Sequence, residues 1–170
     1  VTHSLRLLLL GLAVSALLGC QGGAASAPQP ELGPGESRQI RHLALRLSPG
    51  QDLTQELRRA VDEHGLSAAG VVTCVGSLTD VTIRYANREE ATKLQGHFEI
   101  VSLVGTLEPG GGHLHISVSD GEGKTLSGHL LEGSAVYTTA EIVLVALDDL
   151  RFTRKPDPVT TYDELSVERR

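Results

Sequence analysis

The sequence predicts an α+β domain, mainly antiparallel β-sheet with one packed helix. Three observations carry this. Short segments alternate apolar and polar residues and are separated by glycine-rich or charged turns. One segment alone carries a clear helical stripe with a cap at each end. The chain is 40% apolar but only 3% aromatic, so its core must be built from Val, Leu, Ile and Ala.

Taken in order, Ile40 to Leu47 alternates, with Leu43, Leu45 and Leu47 on one face, and reads as a strand that Ser48-Pro49-Gly50 breaks. Asp52 is a good N-cap. After it, Leu53, Leu57, Ala60, Val61 and His64 form the helical stripe, which Gly65 terminates. His64 is thereby expected at the helix C-terminus, where the macrodipole suits it. Strands are expected at about 68–77, 79–86, 97–108, 112–119, 125–132 and 135–149. The last includes Ala140 to Leu147, whose pattern also suits a helix; its β-branched residues favour strand. No internal repeat is visible.

The most informative stretch is Gly112-His113-Leu114-His115-Ile116-Ser117-Val118, followed by Gly128-His129-Leu130. Alternation puts His113 and His115 on one strand face and Leu114, Ile116 and Val118 on the other. Asp120 to Lys124 reads as a turn. If the hairpin centres on Glu122, His115 lies opposite His129 and Leu126 joins Val118 on the apolar face. A one-residue slip would turn His129 away. A single histidine on a strand usually packs at an interface or bonds a neighbour. Three converging on one face form a metal triad with an open fourth position, since neutral imidazole is a good ligand for Zn²⁺.

The N-terminal residues read as address rather than fold. His3 and Arg6 make a positive start, and Leu5 to Leu18 is an apolar run too short for a comfortable membrane span. Leu17-Leu18-Gly19-Cys20 resembles the lipobox of bacterial lipoproteins, with Leu18 a less usual residue there. The expected organisation is a signal peptide over 1–19, a lipidated Cys20 with a flexible tether over 20–38, and a folded domain over 39–170. Gln21 is not the aspartate associated with inner-membrane retention, so the resemblance favours the periplasmic face of the outer membrane. With Cys20 lipidated, Cys74 has no partner, and its place in Gly70 to Gly76 reads as a buried structural thiol.

Charge narrows the partners. Fifteen Lys and Arg stand against 21 Asp and Glu, a formal −6, with no basic run and no aromatic stacking platform. Phosphate backbones are bound by cationic neutralisation, so the charge balance opposes a nucleic-acid ligand.

Several runs resemble the PPC (plants and prokaryotes conserved) domain family, and they occur in the family's order. They are Val75-Gly76-Ser77-Leu78-Thr79-Asp80 onward to Ala86, Gly96-His97-Phe98-Glu99-Ile100-Val101 onward to Leu107, His113 to Asp120, Gly128-His129-Leu130, Thr139-Ala140-Glu141-Ile142 and Tyr162-Asp163-Glu164-Leu165. The resemblance covers about 39–165. It implies an antiparallel sheet with a packed helix assembled as a homotrimer, and a zinc site that carries onto His113, His115 and His129. Plant members owe DNA targeting to AT-hook segments, and no Arg-Gly-Arg-Pro core of that kind occurs here.

Glu99 is the most interesting carboxylate. In a strand apolar on both faces it is expected to be a satisfied buried acid, or else an outer partner or general base at the metal. His97 reads as a surface residue at a loop-to-strand junction, and Glu141 as an edge charge. Gly110-Gly111-Gly112 lacks the Lys-Ser/Thr and helix of a phosphate loop, and Ser77 lacks the second glycine of a nucleophile elbow. Two functions follow: a metal-containing trimeric module binding a small molecule or partner protein, or a zinc-dependent hydrolase or lyase with Glu99 as its acid/base.

Overall fold

The computed structural model describes residues 35–170. Cys20, the signal peptide and most of the expected tether therefore lie outside the described residues. Chain order is β1 (Ile40–Leu47), α1 (Leu53–Glu63), β2 (Ala69–Arg84), β3 (Thr92–Glu108), β4 (Gly111–Ser119), β5 (Thr125–Leu130), β6 (Val136–Leu147), β7 (Leu150–Pro156) and β8 (Asp163–Arg169).

Six strands form one antiparallel sheet in the order β1-β6-β2-β3-β4-β5. The far end of β2 also pairs with β5, through Ile83↔Leu130 and Arg84↔His129, so β2 to β5 close on themselves as a small barrel. Closure pairs the end of β5 on its second side and brings Arg84 beside His129.

Alternation decides which residues fill the inside. Leu78, Val81, Ile83, Ile116, Val118, Ile142 and Leu144 are almost wholly shielded from solvent. Leu53, Leu57 and Val61 of α1 complete the same core. Burying each of these aliphatic side chains contributes roughly 1.5–3 kcal/mol, which a core nearly free of aromatics needs.

Asp52 fixes where the helix starts. One carboxylate oxygen accepts from the backbone N–H groups of Thr54 (2.9 Å) and Gln55 (3.0 Å). The other accepts from Gly133 (2.7 Å) and Ser134 (2.8 Å). The cap thus also ties α1 to the β5–β6 loop. His64 is the C-cap, with its N–H to the Ala60 carbonyl, as the stripe predicts.

The structure departs from the expected elements in four places, the first being β3, which begins at Thr92 rather than at 97, so His97 lies within the strand and not at a loop-to-strand junction. The two strands expected at 68–77 and 79–86 are one strand, β2, which absorbs irregular register at Val71/Thr73, Gly76/Leu78 and Leu78/Asp80. Bulges at these points break strict alternation, which in sequence looks like a strand boundary. The expected strand over 135–149 ends at Leu147, where a turn leads into β7. The β7–β8 hairpin itself was not anticipated. Each of its strands has few apolar residues, Leu150 and Phe152 on one and Leu165 and Val167 on the other, among charges. It packs over a small cluster with Ala68, and Arg154 holds it to β3 through Glu108 (2.8 Å) and the Thr106 hydroxyl (2.9 Å).

Candidate metal centre

The hairpin of β4 and β5 builds the centre. Its register pairs His115 with His129 and Val118 with Leu126, as a turn centred on Glu122 predicts. The turn is held by Asp120, whose carboxylate accepts from the Glu122 and Lys124 N–H groups at 3.0 and 2.9 Å. Register partners on antiparallel strands share a face, and His113 precedes His115 by two residues, so all three rings lie together on the outside of the barrel.

Their nitrogens form a nearly equilateral triangle. His113 Nε2 to His115 Nε2, His113 Nε2 to His129 Nδ1, and His115 Nε2 to His129 Nδ1 are each 3.1 Å. A neutral imidazole nitrogen either carries a proton or presents a lone pair. Among three such nitrogens in mutual contact, at least one pair must be donor facing donor or lone pair facing lone pair. A cation drawing on three lone pairs resolves that conflict, and the donor set of three imidazoles suits a divalent transition metal. Among the described residues, this is the group of His, Cys, Asp and Glu side chains close enough to hold an ion.

Electrostatics keep the rings ready to ligate. Partial burial holds His113 below the ordinary histidine value, helped by the positive charge of His115 and Arg154, while Glu164 and Glu108 pull the other way. His129 is also lowered, first by burial and then by Arg84, His115 and His113. Both effects favour the neutral, lone-pair form that a metal requires.

Close strand approach makes this geometry possible. Gly105 of β3 pairs with Leu114, between the two histidines of β4. Its φ of +142° is poorly accessible to other residues, and a Cβ there would stand 2.0 Å from the His113 carbonyl oxygen. The glycines ahead of His113 divide their roles. Gly110 turns the chain between β3 and β4, and Gly112 brings β4 against Thr106, so both serve the strand pair rather than a phosphate.

Other candidates fall elsewhere. Glu99 is exposed, not buried, and its register partner on β4 is Ser119. That is four residues beyond His115, about 13 Å along the strand. Neither the expected buried acid nor the expected outer partner of the triad is formed by Glu99 in this chain; a strand that looks apolar on both faces owes its outward apolar residues to an uncovered sheet face. Glu141 is likewise exposed but sits on β6, which is paired on both sides by β1 and β2, so it is no edge charge. His97 is on the surface in β3, with its ring 4.3 Å from that of Tyr137. Cys74 is buried and its thiol is pushed up to about 11 by burial, as befits an inert structural cysteine.

Arg84 is the neighbour that sequence reasoning missed. It stands opposite His129 only because β2 and β5 pair over two residues, a contact between segments more than forty residues apart. No local pattern marks it.

Comparison with known proteins agrees with this architecture. The family model for the Plants and Prokaryotes Conserved (PCC) domain matches residues 35–148. A hypothetical protein from Salmonella enterica is 47% identical, with a TM-score of 0.78 over 79% of this chain and 97% of its own. A metal-containing protein from Archaeoglobus fulgidus shares the fold at 24% identity, with a TM-score of 0.68 over 77% of this chain and 96% of its own. The bifunctional protein GlmU of a Synechococcus strain is 45% identical over 151 residues, 89% of this chain; the chain spans only about a quarter (24%) of that relative's length. The chain belongs to the Plants and Prokaryotes Conserved (PCC) domain family.

Proposed function

We propose that the protein is a metal-binding accessory module, holding one zinc ion at His113, His115 and His129 and presenting it to a small molecule or partner protein. The observation that carries this reading is the triangle of ring nitrogens, 3.1 Å on every side. When bound, zinc supplies a Lewis-acidic centre with room for a further ligand. The residues do the rest: two adjacent strands fix the rings, and partial burial, helped by nearby positive charge, holds His113 and His129 toward the neutral form.

A binding role is favoured over a zinc hydrolase or lyase because the one carboxylate proposed as acid/base, Glu99, lies far along the sheet from the triad within the subunit. The module is proposed to be a homotrimer. In support, the outer sheet face is unusually apolar: Val72, Val75, Val101 and Val104 are each more than half exposed. Val104 pairs directly with His115, so the same face carries the metal centre. The proposed setting is the periplasmic face of the outer membrane, anchored through lipid on Cys20, as the lipobox resemblance suggests.

Elemental analysis of the purified protein, read with its mass in solution, tests metal and assembly together. Zinc at one equivalent per chain and a mass of three chains are expected. A protein that stays metal-free after zinc reconstitution overturns the metal reading; a monomer across micromolar concentrations overturns the trimer.

A further inference from the structure

The histidine triangle opens onto a cleft of about 1430 Å³ between the barrel and the β7–β8 hairpin, lined among others by His113, His129, Arg84, Arg88, Phe152 and Arg154. Such a volume exceeds what a drug-sized ligand needs. The two arginines flanking the triad differ in kind. Arg154 is already neutralised: its guanidinium donates to buried Glu108 at 2.8 Å and to Thr106 at 2.9 Å. Arg84 is not. It makes one hydrogen bond, from Nη1 to the Arg88 carbonyl oxygen at 3.1 Å, and among the described residues it forms no ion pair.

We infer that Arg84 and the metal together receive the carboxylate of a small organic acid. This rests on the metal reading above. Register pairing places Arg84 on the same sheet face as His129, close enough for its charge to act on that ring. A guanidinium's planar fork matches the two oxygens of a carboxylate, and a divalent metal prefers an anionic oxygen over a neutral one. One fork beside one metal position matches the two oxygens of a carboxylate; Glu89, Asp163 and Glu164 line the cleft further out, as do Arg88, Arg151 and Arg170.

The test uses the full chain loaded with cobalt(II), whose visible spectrum reports its ligands, titrated with acetate and separately with inorganic phosphate. Acetate should shift the spectrum at millimolar concentration and bind more tightly than phosphate. Arg84→Met should load cobalt normally but bind acetate at least about tenfold more weakly, and Arg84→Lys, which keeps the charge without the fork, should fall between. Should Arg84→Met misfold, Arg84→Lys alone decides the question, since unchanged acetate affinity in it overturns the forked carboxylate contact. Cobalt that loads but ignores acetate, wild-type acetate affinity in Arg84→Met, or tighter phosphate binding each overturns the carboxylate site while leaving the metal centre standing. A wild-type chain that takes up no cobalt overturns both.

Discussion

His115 and His129 are register partners on β4 and β5, and their facing nitrogens stand 3.1 Å apart. One hairpin register therefore decides whether the centre exists. Shifting β5 by one residue would turn His129 into the barrel and bring Gly128 or Leu130 to the outer face. The site is thus specified by the same apolar alternation that fills the core with Ile116, Val118 and Leu130, and fold and function cannot drift apart here.

His115→Ala is expected to abolish stable metal binding. It leaves two imidazoles on a solvent-facing surface, and even outer partners of metal ligands are commonly worth 10–100-fold in affinity, so loss of a ligand itself should exceed about 100-fold. His64→Ala, at the C-cap of α1, is the control and should leave metal content at the wild-type level. Zinc stoichiometry after dialysis against a weak chelator distinguishes them. Equal loading in wild type and His115→Ala would rule the site out.

Stability of the metal-free protein should fall as pH drops through about 6.5. His113 and His129 are both held below their ordinary value in the folded state, so the unfolded chain takes up protons first. That contribution is therefore fully present above the unfolded value and is lost as pH falls toward the folded ones. Metal release adds in the same direction, because protons compete for the same lone pairs. Thermal melts of apo and zinc-loaded protein between about pH 8 and 5, spanning the histidine range, should show a smaller slope in His113→Gln than in wild type. An apo melting temperature independent of pH over that range would contradict the assignment.

Gly105→Ala should damage fold and centre together. The new Cβ would meet the His113 carbonyl oxygen at 2.0 Å and force a backbone with φ of +142°. Strain and overpacking together are expected to cost about 2–4 kcal/mol. Urea midpoints measure this, and metal content of the folded fraction should fall because β4 must move. Gly50→Ala, whose Cβ would have open space around it, isolates the backbone term at another positive φ.

Much of this architecture was legible in the sequence because local rules dominate it. Asp52 announces the helix, and alternation from His113 to Val118 and from Leu126 to Leu130 sets both the hairpin register and the histidine face. What was hidden depends on contacts distant in the chain. The pairing of Arg84 with His129 and the docking of Arg154 on Glu108 join segments without any local signal. The bulges of β2 disguise one strand as two, because a single unpaired residue inverts the alternation after it. The outward valines of β3 made Glu99 look buried, whereas they mark a sheet face that the chain leaves uncovered.

Asp52→Ala should destabilise the fold without touching the metal centre. Its carboxylate accepts four backbone N–H groups, two at the start of α1 and two in the β5–β6 loop. Loss of the cap and of the charge-assisted loop bonds is expected to cost about 2–3 kcal/mol. Asp52→Asn keeps an acceptor for one side only and should lose less. Chemical denaturation gives the values, and zinc stoichiometry in the folded protein should remain at wild type.

Val101→Lys with Val104→Glu is expected to convert the proposed trimer to a monomer. Both valines are more than half exposed on the outer sheet face, so neither substitution disturbs the core. A charge placed in an apolar interface must be desolvated, and two per subunit cannot be accommodated unless they find partners across it. Val159→Lys, at a still more exposed valine in the β7–β8 turn, is the control. Sedimentation equilibrium should give three chains for wild type and the control, and one for the double variant. Because Val104 is the register partner of His115, the monomer should also show faster metal exchange, as the centre loses its cover on that side. A double variant that remains a trimer would place the interface on another surface of the domain.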